Sequence, residues 1–422
     1  MSILEITTVL LLLASFFSII NLRLLKLPQT IGLMILAICL SIVVLAIGVI
    51  FPEFIEIITG LTKDFDFSVL LIDVMLPFLL FAGAISVDVH ELLKDKVTIL
   101  FLATFGVAFS TFAVGTGVFW LIEQPFFGLN DIGISYVDCL LFGALIAPTD
   151  PIAVLSIVKK MNLSSITVTR IAGESLFNDG IGVVIFLTLL KVKLMGVDNV
   201  TPEGISMLFA TEVIGGVILG CALGYLGLKL VKYIENQHVE LEVLITLSLV
   251  LLVTVVANEF HFSGPLGVVM MGLFLNRNID TDKIEAGVQK AMGEYVYKFW
   301  HLLDETLNAI LFILIGLEII PIFQNFVPAY FLISIITIIL VVFSRGIGVS
   351  IPIMILSLYK KFEKRTSLII TWGGLRGGLS IALALNLPDT IGDGKNLILF
   401  LTYMVVLFTI IFQGLTLEKL HK

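Results

Sequence analysis

Five ionisable side chains fall deep inside apolar stretches of the chain: Asp150, Glu174, Asp179, Arg345 and Arg376. Asp73 lies shallower, and solvation near a membrane face explains it and Glu212 as well as a function would. A charge at the centre of a bilayer costs about 2.5–3.5 kcal/mol on insertion scales, so each of the five needs a partner or a task. The run GESLFNDGIG, residues 173–182, holds two of them. At about 100° per residue, Ser175 and Asp179 stand about 40° apart on one helix face, whereas Glu174 and Asp179 stand about 140° apart. Asp179 with Ser175 therefore reads as an ion-facing pair. A desolvated carboxylate can alternate between holding a proton and holding a cation, which is the minimal chemistry of proton-coupled exchange. The plainer alternative is a neutral buried acid hydrogen-bonded to Asn178 or Ser175.

Thr149–Asp150–Pro151 has local physics of its own. Asp is a preferred N-cap and Pro suits the first helical position, so a half-helix is expected from Pro151 towards Lys159 with Asp150 at its positive end. The chain ahead of it would be unwound, freeing carbonyls such as that of Thr149 to face a cation. A cap with no part in transport remains the alternative. Arg345, mid-stretch in IILVVFSRGIGVS, requires a carboxylate partner. Glu174, pointing away from the Asp179 face, is the natural one, and the pair would be structural. Arg376 could offset exposed carbonyls at half-helix ends.

The elements that must carry these residues are membrane helices. Of 422 residues 58% are hydrophobic and 14% charged, too little charge to cover a soluble domain of this size. The net charge of −8 carries no nucleic-acid signature. Cys39, Cys139 and Cys221 all lie in apolar stretches, which argues against disulfides or a thiolate metal site. Thirteen spans fit, at about 3–22, 28–51, 67–88, 96–122, 134–158, 166–190, 204–234, 239–258, 264–276, 300–320, 328–358, 366–387 and 396–416. The first is expected as a retained span rather than a cleaved leader, and residues 281–298 as an amphipathic segment at the interface. With the N-terminus outside and the C-terminus cytoplasmic, 19 of the 25 Lys and Arg residues, Arg170 among them, fall on the inner side and four on the outer.

The fifth and twelfth spans are interrupted, at LLFGALIAPTDPIAVLSIV and TWGGLRGGLSIALAL. Seven apart in order, they run in opposite directions, as in an inverted repeat of spans 1–6 and 8–13 with span 7 as linker. Broken helices at matching positions of two halves point to a transporter site, although glycines there could serve helix packing alone.

The motifs GALIAPTDPIAV, GESLFNDGIGVVIF, SRGIGV and TWGGLRGGLSIALAL, in this order, resemble the NhaP-type sodium/proton antiporters, of the same cation:proton antiporter family as the animal sodium/hydrogen exchangers. The resemblance spans essentially the whole chain. It implies an all-α fold of about thirteen helices, with two discontinuous helices crossing near the ion. It implies a dimerisation part at about 1–90 and 239–320, a transport core at about 96–190 and 328–416, and a linker at about 204–234. It also implies Na+ binding by Asp179, Ser175 and Thr149, with Asp150 and Asn178 organising the site, and the Glu174–Arg345 pair. The Asn178–Asp179 dipeptide is the family's mark of electroneutral exchange. A homodimer in the cell membrane and no cofactor are further implications. Many relatives supply a carboxylate from the third span, where Ala82 stands in LPFLLFAGAISVD, so this site has one fewer anionic ligand. Potassium or lithium in place of sodium is a second reading. An intramembrane aspartyl protease is disfavoured, because neither Asp150 nor Asp179 has the Gly-x-Gly-Asp context. A passive channel is disfavoured by the buried acid and inverted halves.

Overall fold

The computed structural model describes residues 3–51, 70–158, 161, 163–196, 200–234, 239–276, 288–324 and 327–420. Over these residues the chain is helical and contains no strand, and nine helices are long and apolar enough to cross a membrane. The chain is a multi-pass membrane protein. Side chains such as Phe112, Ile339 and Phe343 project outward, as a lipid-facing surface requires.

The helices are α1 (Ile3–Ile20), α2 (Gln29–Ile50), α3 (Leu76–Ser86), α4 (Lys96–Ile122), α5 (Tyr136–Ile146), α6 (Pro151–Val158), α7 (Ser165–Met195) and α8 (Pro202–Tyr233). They continue with α9 (Val239–Phe260), α10 (Gly264–Asn276), α11 (Val288–Leu317), α12 (Pro328–Leu356), α13 (Thr366–Trp372), α14 (Gly378–Leu385) and α15 (Asp393–Leu407). A π-helical turn, Leu70–Met75, leads into α3. The two interrupted spans are α5–α6 and α13–α14, and each of the other expected spans has its helix.

Local sequence sets the helix ends. Ser135 and Asp138 close a reciprocal capping box at the start of α5, satisfying two amides that the helix itself leaves unpaired. Ser164 caps α7, and Thr201 with Pro202 starts α8. Between helices, small residues permit close approach. A Cβ on Gly220 of α8 would stand 2.2 Å from the Gly267 carbonyl of α10, and one on Gly143 of α5 2.2 Å from the Thr111 carbonyl of α4. Polar groups tie the remaining contacts. Ser41 of α2 donates to the Gly316 carbonyl of α11 at 2.8 Å, and Asn276 of α10 donates to the carbonyls of Ala84, in the last turn of α3, and of Val87 just beyond it, the latter at 2.6 Å.

Of the segment 281–298, expected as amphipathic at the interface, residues 281–287 lie outside the described residues. From Val288 onward the chain is α11, and the part of it long and apolar enough to cross a membrane begins at Tyr295, five residues before the expected limit. Val296 and Trp300, one turn apart, are buried, with Trp300 donating to Thr246 at 3.0 Å and packing on Phe81. They extend the buried face towards the N-terminal end while the opposite face stays polar. Arg170, counted on the inner side, is buried in the second turn of α7, ion-paired with Asp95 and stacked on the Phe362 ring. Lys63, Lys159, Lys160, Arg277, Lys283 and Lys422, also among the Lys and Arg residues counted by side, lie outside the described residues.

Candidate ion-binding site at the crossing of two broken helices

Helix α5 ends at Ile146 and α6 begins at Pro151; α13 ends at Trp372 and α14 begins at Gly378. The two unwound stretches meet. The Asp150 amide donates to the Leu375 carbonyl at 2.7 Å, a main-chain bond between the two breaks. Gly377 lies so close that a Cβ there would stand 2.8 Å from the Asp150 carboxylate. Arg376, fully enclosed, donates to the Ala147 carbonyl and, at 2.9 Å, to that of Pro148. One break thus supplies the cation that satisfies carbonyls freed by the other. Arg376 is in turn held by its amide, which donates to the Thr409 hydroxyl at 3.1 Å.

Helix α7 runs past this crossing and presents four side chains to it. The Ser175 and Thr149 hydroxyls are 3.0 Å apart. Asn178 accepts from the Thr149 amide at 3.2 Å and donates to the Thr149 hydroxyl at 2.7 Å and to Glu174 at 2.9 Å. Glu174 receives both terminal nitrogens of Arg345, each at 2.7 Å. Both partners are buried, and such a bidentate pair has the geometry that repays desolvation best. The Arg345 stem crosses the second break closely: a Cβ on Gly374 would stand 2.8 Å from its Nε.

Asp179 is the remaining member. Its carboxylate has no hydrogen-bond donor among the described residues, and it lines a cavity of about 80 Å³ together with Thr149, Asp150, Pro151, Gly377 and Ser380. That volume admits a few waters or a partly hydrated small ion. The remaining walls are apolar where they come from α3 and its π-helical turn (Met75, Leu79, Gly83), while α11 contributes both Leu311 and the amide of Asn308. Ala82 itself is buried and does not line the cavity, so no carboxylate is contributed from α3.

The sequence reading did not single out the polar groups of α11 and α14 beside this cavity. Asn308 lines it and donates to the Asp304 carboxylate at 3.0 Å, and the Ser380 hydroxyl is buried beside it without a partner among the described residues. Asp304 and Asn308 stand at i and i+4 in an apolar run, a signal that was available. A second missed cluster joins Asp95 at the start of α4 to Arg170 of α7 and, at 2.7 Å, to Lys360 beyond α12. Burial alone would raise the Asp95 carboxyl, but hydrogen bonds from Lys360, Thr98 and Arg170 outweigh it and hold the group below its ordinary value. Glu212 is paired with Lys191, and Asp73 is exposed on the turn before α3.

A family model described as the transmembrane sodium/hydrogen exchanger matches residues 11–422. The chain is 38% identical over 428 residues to the Na(+)/H(+) antiporter NhaP of Pseudomonas aeruginosa, covering 99% of this chain and 96% of that one. It is 32% identical to the Na(+)/H(+) antiporter NhaH of Halobacillus dabanensis, over 98% of this chain and 96% of that one. Among solved structures it resembles the sodium proton antiporter MjNhaP1 from Methanocaldococcus jannaschii at pH 8, with a TM-score of 0.78 and 20% identity over 99% of this chain and 97% of that one. The likeness establishes a shared fold of two crossing broken helices in a bundle of about thirteen spans.

Proposed function

The chain belongs to the transmembrane sodium/hydrogen exchanger family, and from that premise we propose that it exchanges Na+, and also Li+, for H+ across the cell membrane by competition of the two ions for Asp179. The observation that carries this reading is a carboxylate that has no hydrogen-bond donor among the described residues and faces a small cavity at the helix crossing, beside the Thr149 hydroxyl and Asp150. An acid so placed is held by neither a cationic side chain nor a fixed donor. It is therefore neutralised in alternation by a proton or by a small cation, one excluding the other. Thr149 and Ser175 supply neutral oxygen ligands. Asp150 and Asn178 orient them, Asn178 by binding Thr149 on one side and Glu174 on the other.

Exchange is electroneutral, one cation for one proton. The neighbouring position is an amide, Asn178, so Asp179 carries the proton alone while Glu174 stays committed to Arg345. The protein works as a homodimer through its dimerisation part, with the N-terminus outside and the C-terminus cytoplasmic, and the transport core moves against that part to expose Asp179 to either face. Potassium in place of sodium is the second reading, favoured by the lack of an α3 carboxylate at Ala82. The deciding experiment is dissipation of an imposed pH gradient in everted vesicles, with Na+, Li+ and K+ added in turn. Response to Na+ and Li+ supports the first reading and to K+ alone the second, while response to none rejects both. A rate that changes with membrane potential at clamped pH gradient rejects electroneutrality.

A further inference from the structure

A second cavity, of about 120 Å³, lies at the other end of α14 and is lined by Glu318, Tyr330, Leu385, Asn396, Leu399 and Phe400. Three of these are polar, and they come from three places in the chain: Glu318 just after α11, Tyr330 in the first turn of α12, and Asn396 in the first turn of α15. None of the three side chains makes a hydrogen bond or ion pair with a described residue. Lys395, the nearest basic residue in sequence, turns instead to Asp389 at 2.7 Å. The Tyr403 hydroxyl is also spent, donating to the Ile315 carbonyl at 2.7 Å. Tyr330 is buried and Glu318 and Asn396 are half-buried, so three polar side chains without a partner among the described residues converge on one cavity large enough for a small hydrated ligand.

The chemistry of the lining selects its sign. A carboxylate, a phenol oxygen and an amide oxygen are all acceptors for a cation. Leu385 is the last residue of α14, whose carbonyl end carries partial negative charge towards the cavity, and half-helix C-termini of this kind hold cations in transporters. The exposed Asp393 adds negative charge near Tyr330. The same half-helix begins at Gly378, which lines the Asp179 cavity. Eight residues at about 1.5 Å each separate the two cavities by roughly 12 Å along one rigid element.

We propose that Glu318, Tyr330 and Asn396 form a second site for a partly hydrated monovalent cation, in series with Asp179 and joined to it by α14. The inference rests on the antiport reading and deepens it: the second site holds an ion on its way to or from Asp179 on one face of the membrane. Glu318 is the one charged ligand, so a proton competes there too.

Tl+, a monovalent cation visible by anomalous scattering, gives a direct test in crystals of the full chain soaked at alkaline pH. The expected result is a peak beside the Glu318 carboxylate in the wild type and in Asp179→Asn, absent in Glu318→Gln. No peak there in the wild type overturns the proposal, and so does a peak that survives Glu318→Gln. Because the two positions are scored separately, loss of binding at Asp179 speaks to the antiport reading and not to this site. In transport, Glu318→Gln and the milder Tyr330→Phe should raise the apparent half-saturation for Na+ several-fold when the cation is presented on one face, with the maximal rate retained. Equal shifts from both faces, or none, overturn the serial placement.

Discussion

The Asp150 amide donates to the Leu375 carbonyl at 2.7 Å, so the two broken spans are fastened main chain to main chain where they cross. Everything else at the crossing depends on that contact being close. It brings Arg376 within reach of the Ala147 and Pro148 carbonyls and sets Asp150 beside Gly377. Two interrupted helices would each expose unpaired backbone groups to a dry interior, at a cost of several kcal/mol per group. Crossed, they satisfy part of each other's deficit and leave a polar, water-sized space.

Substituting Gly377 by Ala tests how tight the crossing is. The backbone there is extended, so the cost is contact alone: the new Cβ would stand 2.8 Å from Asp150. Overpacking of this kind costs about 1–3 kcal/mol, and the strain falls on Asp150, so transport should drop more than thermal stability. Gly346→Ala is the control, since its Cβ would meet only Thr371 at an ordinary 3.7 Å. Equal transport by the two variants would show that the crossing has slack.

Glu174→Gln and Arg345→Ala should each lower folding yield more than they change apparent ion affinity. Removing one partner of a buried pair strands the other charge, at about 3–5 kcal/mol, and Glu174 also receives Asn178. The reversed pair, Glu174→Arg with Arg345→Glu, should recover part of the loss in detergent melting curves. Normal yield with only a shifted half-saturation constant would assign Glu174 to the ion site instead.

Acid stability should depend on Lys360. Asp95 titrates below its ordinary value in the folded chain because Lys360, Thr98 and Arg170 overcome its burial. Its contribution is therefore complete above the ordinary carboxylate range and is lost as pH falls through the lowered folded value. Lys360→Met removes one of the groups that lower it, so stability near neutrality should fall, the acid edge of the profile should become shallower, and the two proteins should converge at low pH where Asp95 is protonated in both. Superimposable acid edges for the two proteins would show that the cluster is held without Lys360.

The breaks were legible in sequence because their residues have strong local preferences: Pro148 and Pro151 frame one, and Gly373, Gly374, Gly377 and Gly378 the other. The Glu174–Arg345 contact followed from helical phase, since Glu174 faces away from Asp179 and a buried guanidinium needs a carboxylate. What was not legible depends on tertiary contact. That Arg376 serves the opposite break rather than its own, that Asn178 bridges Thr149 and Glu174, and that Arg170 is buried against Asp95 are facts about spans brought together by folding. The start of the tenth span was set a few residues late for another reason: the sequence before Trp300 mixes polar and apolar residues, and the burial of Val296 beside Trp300 shows where the inward face continues.

Asp179→Asn gives the sharpest separation between structure and transport. The substitution keeps side-chain size and adds only a donor, and the wild-type carboxylate faces a cavity rather than a fixed partner, so folding and insertion should be unchanged. Transport of every cation should vanish at every pH, because an amide neither carries a proton in this range nor supplies negative charge to an ion. Ser175→Ala removes one neutral oxygen and should weaken apparent affinity while leaving exchange intact. Asp150→Asn should be severe through the geometry of the crossing, with its main-chain bond to Leu375 retained. In the wild type, cation and proton compete for one group, so acidification should raise the cation half-saturation constant without lowering the maximal rate. Reconstituted proteoliposomes with an internal pH dye measure all of these. Proton-coupled exchange by well-folded Asp179→Asn would move the coupling site, with Asp150, on the same cavity, the first alternative.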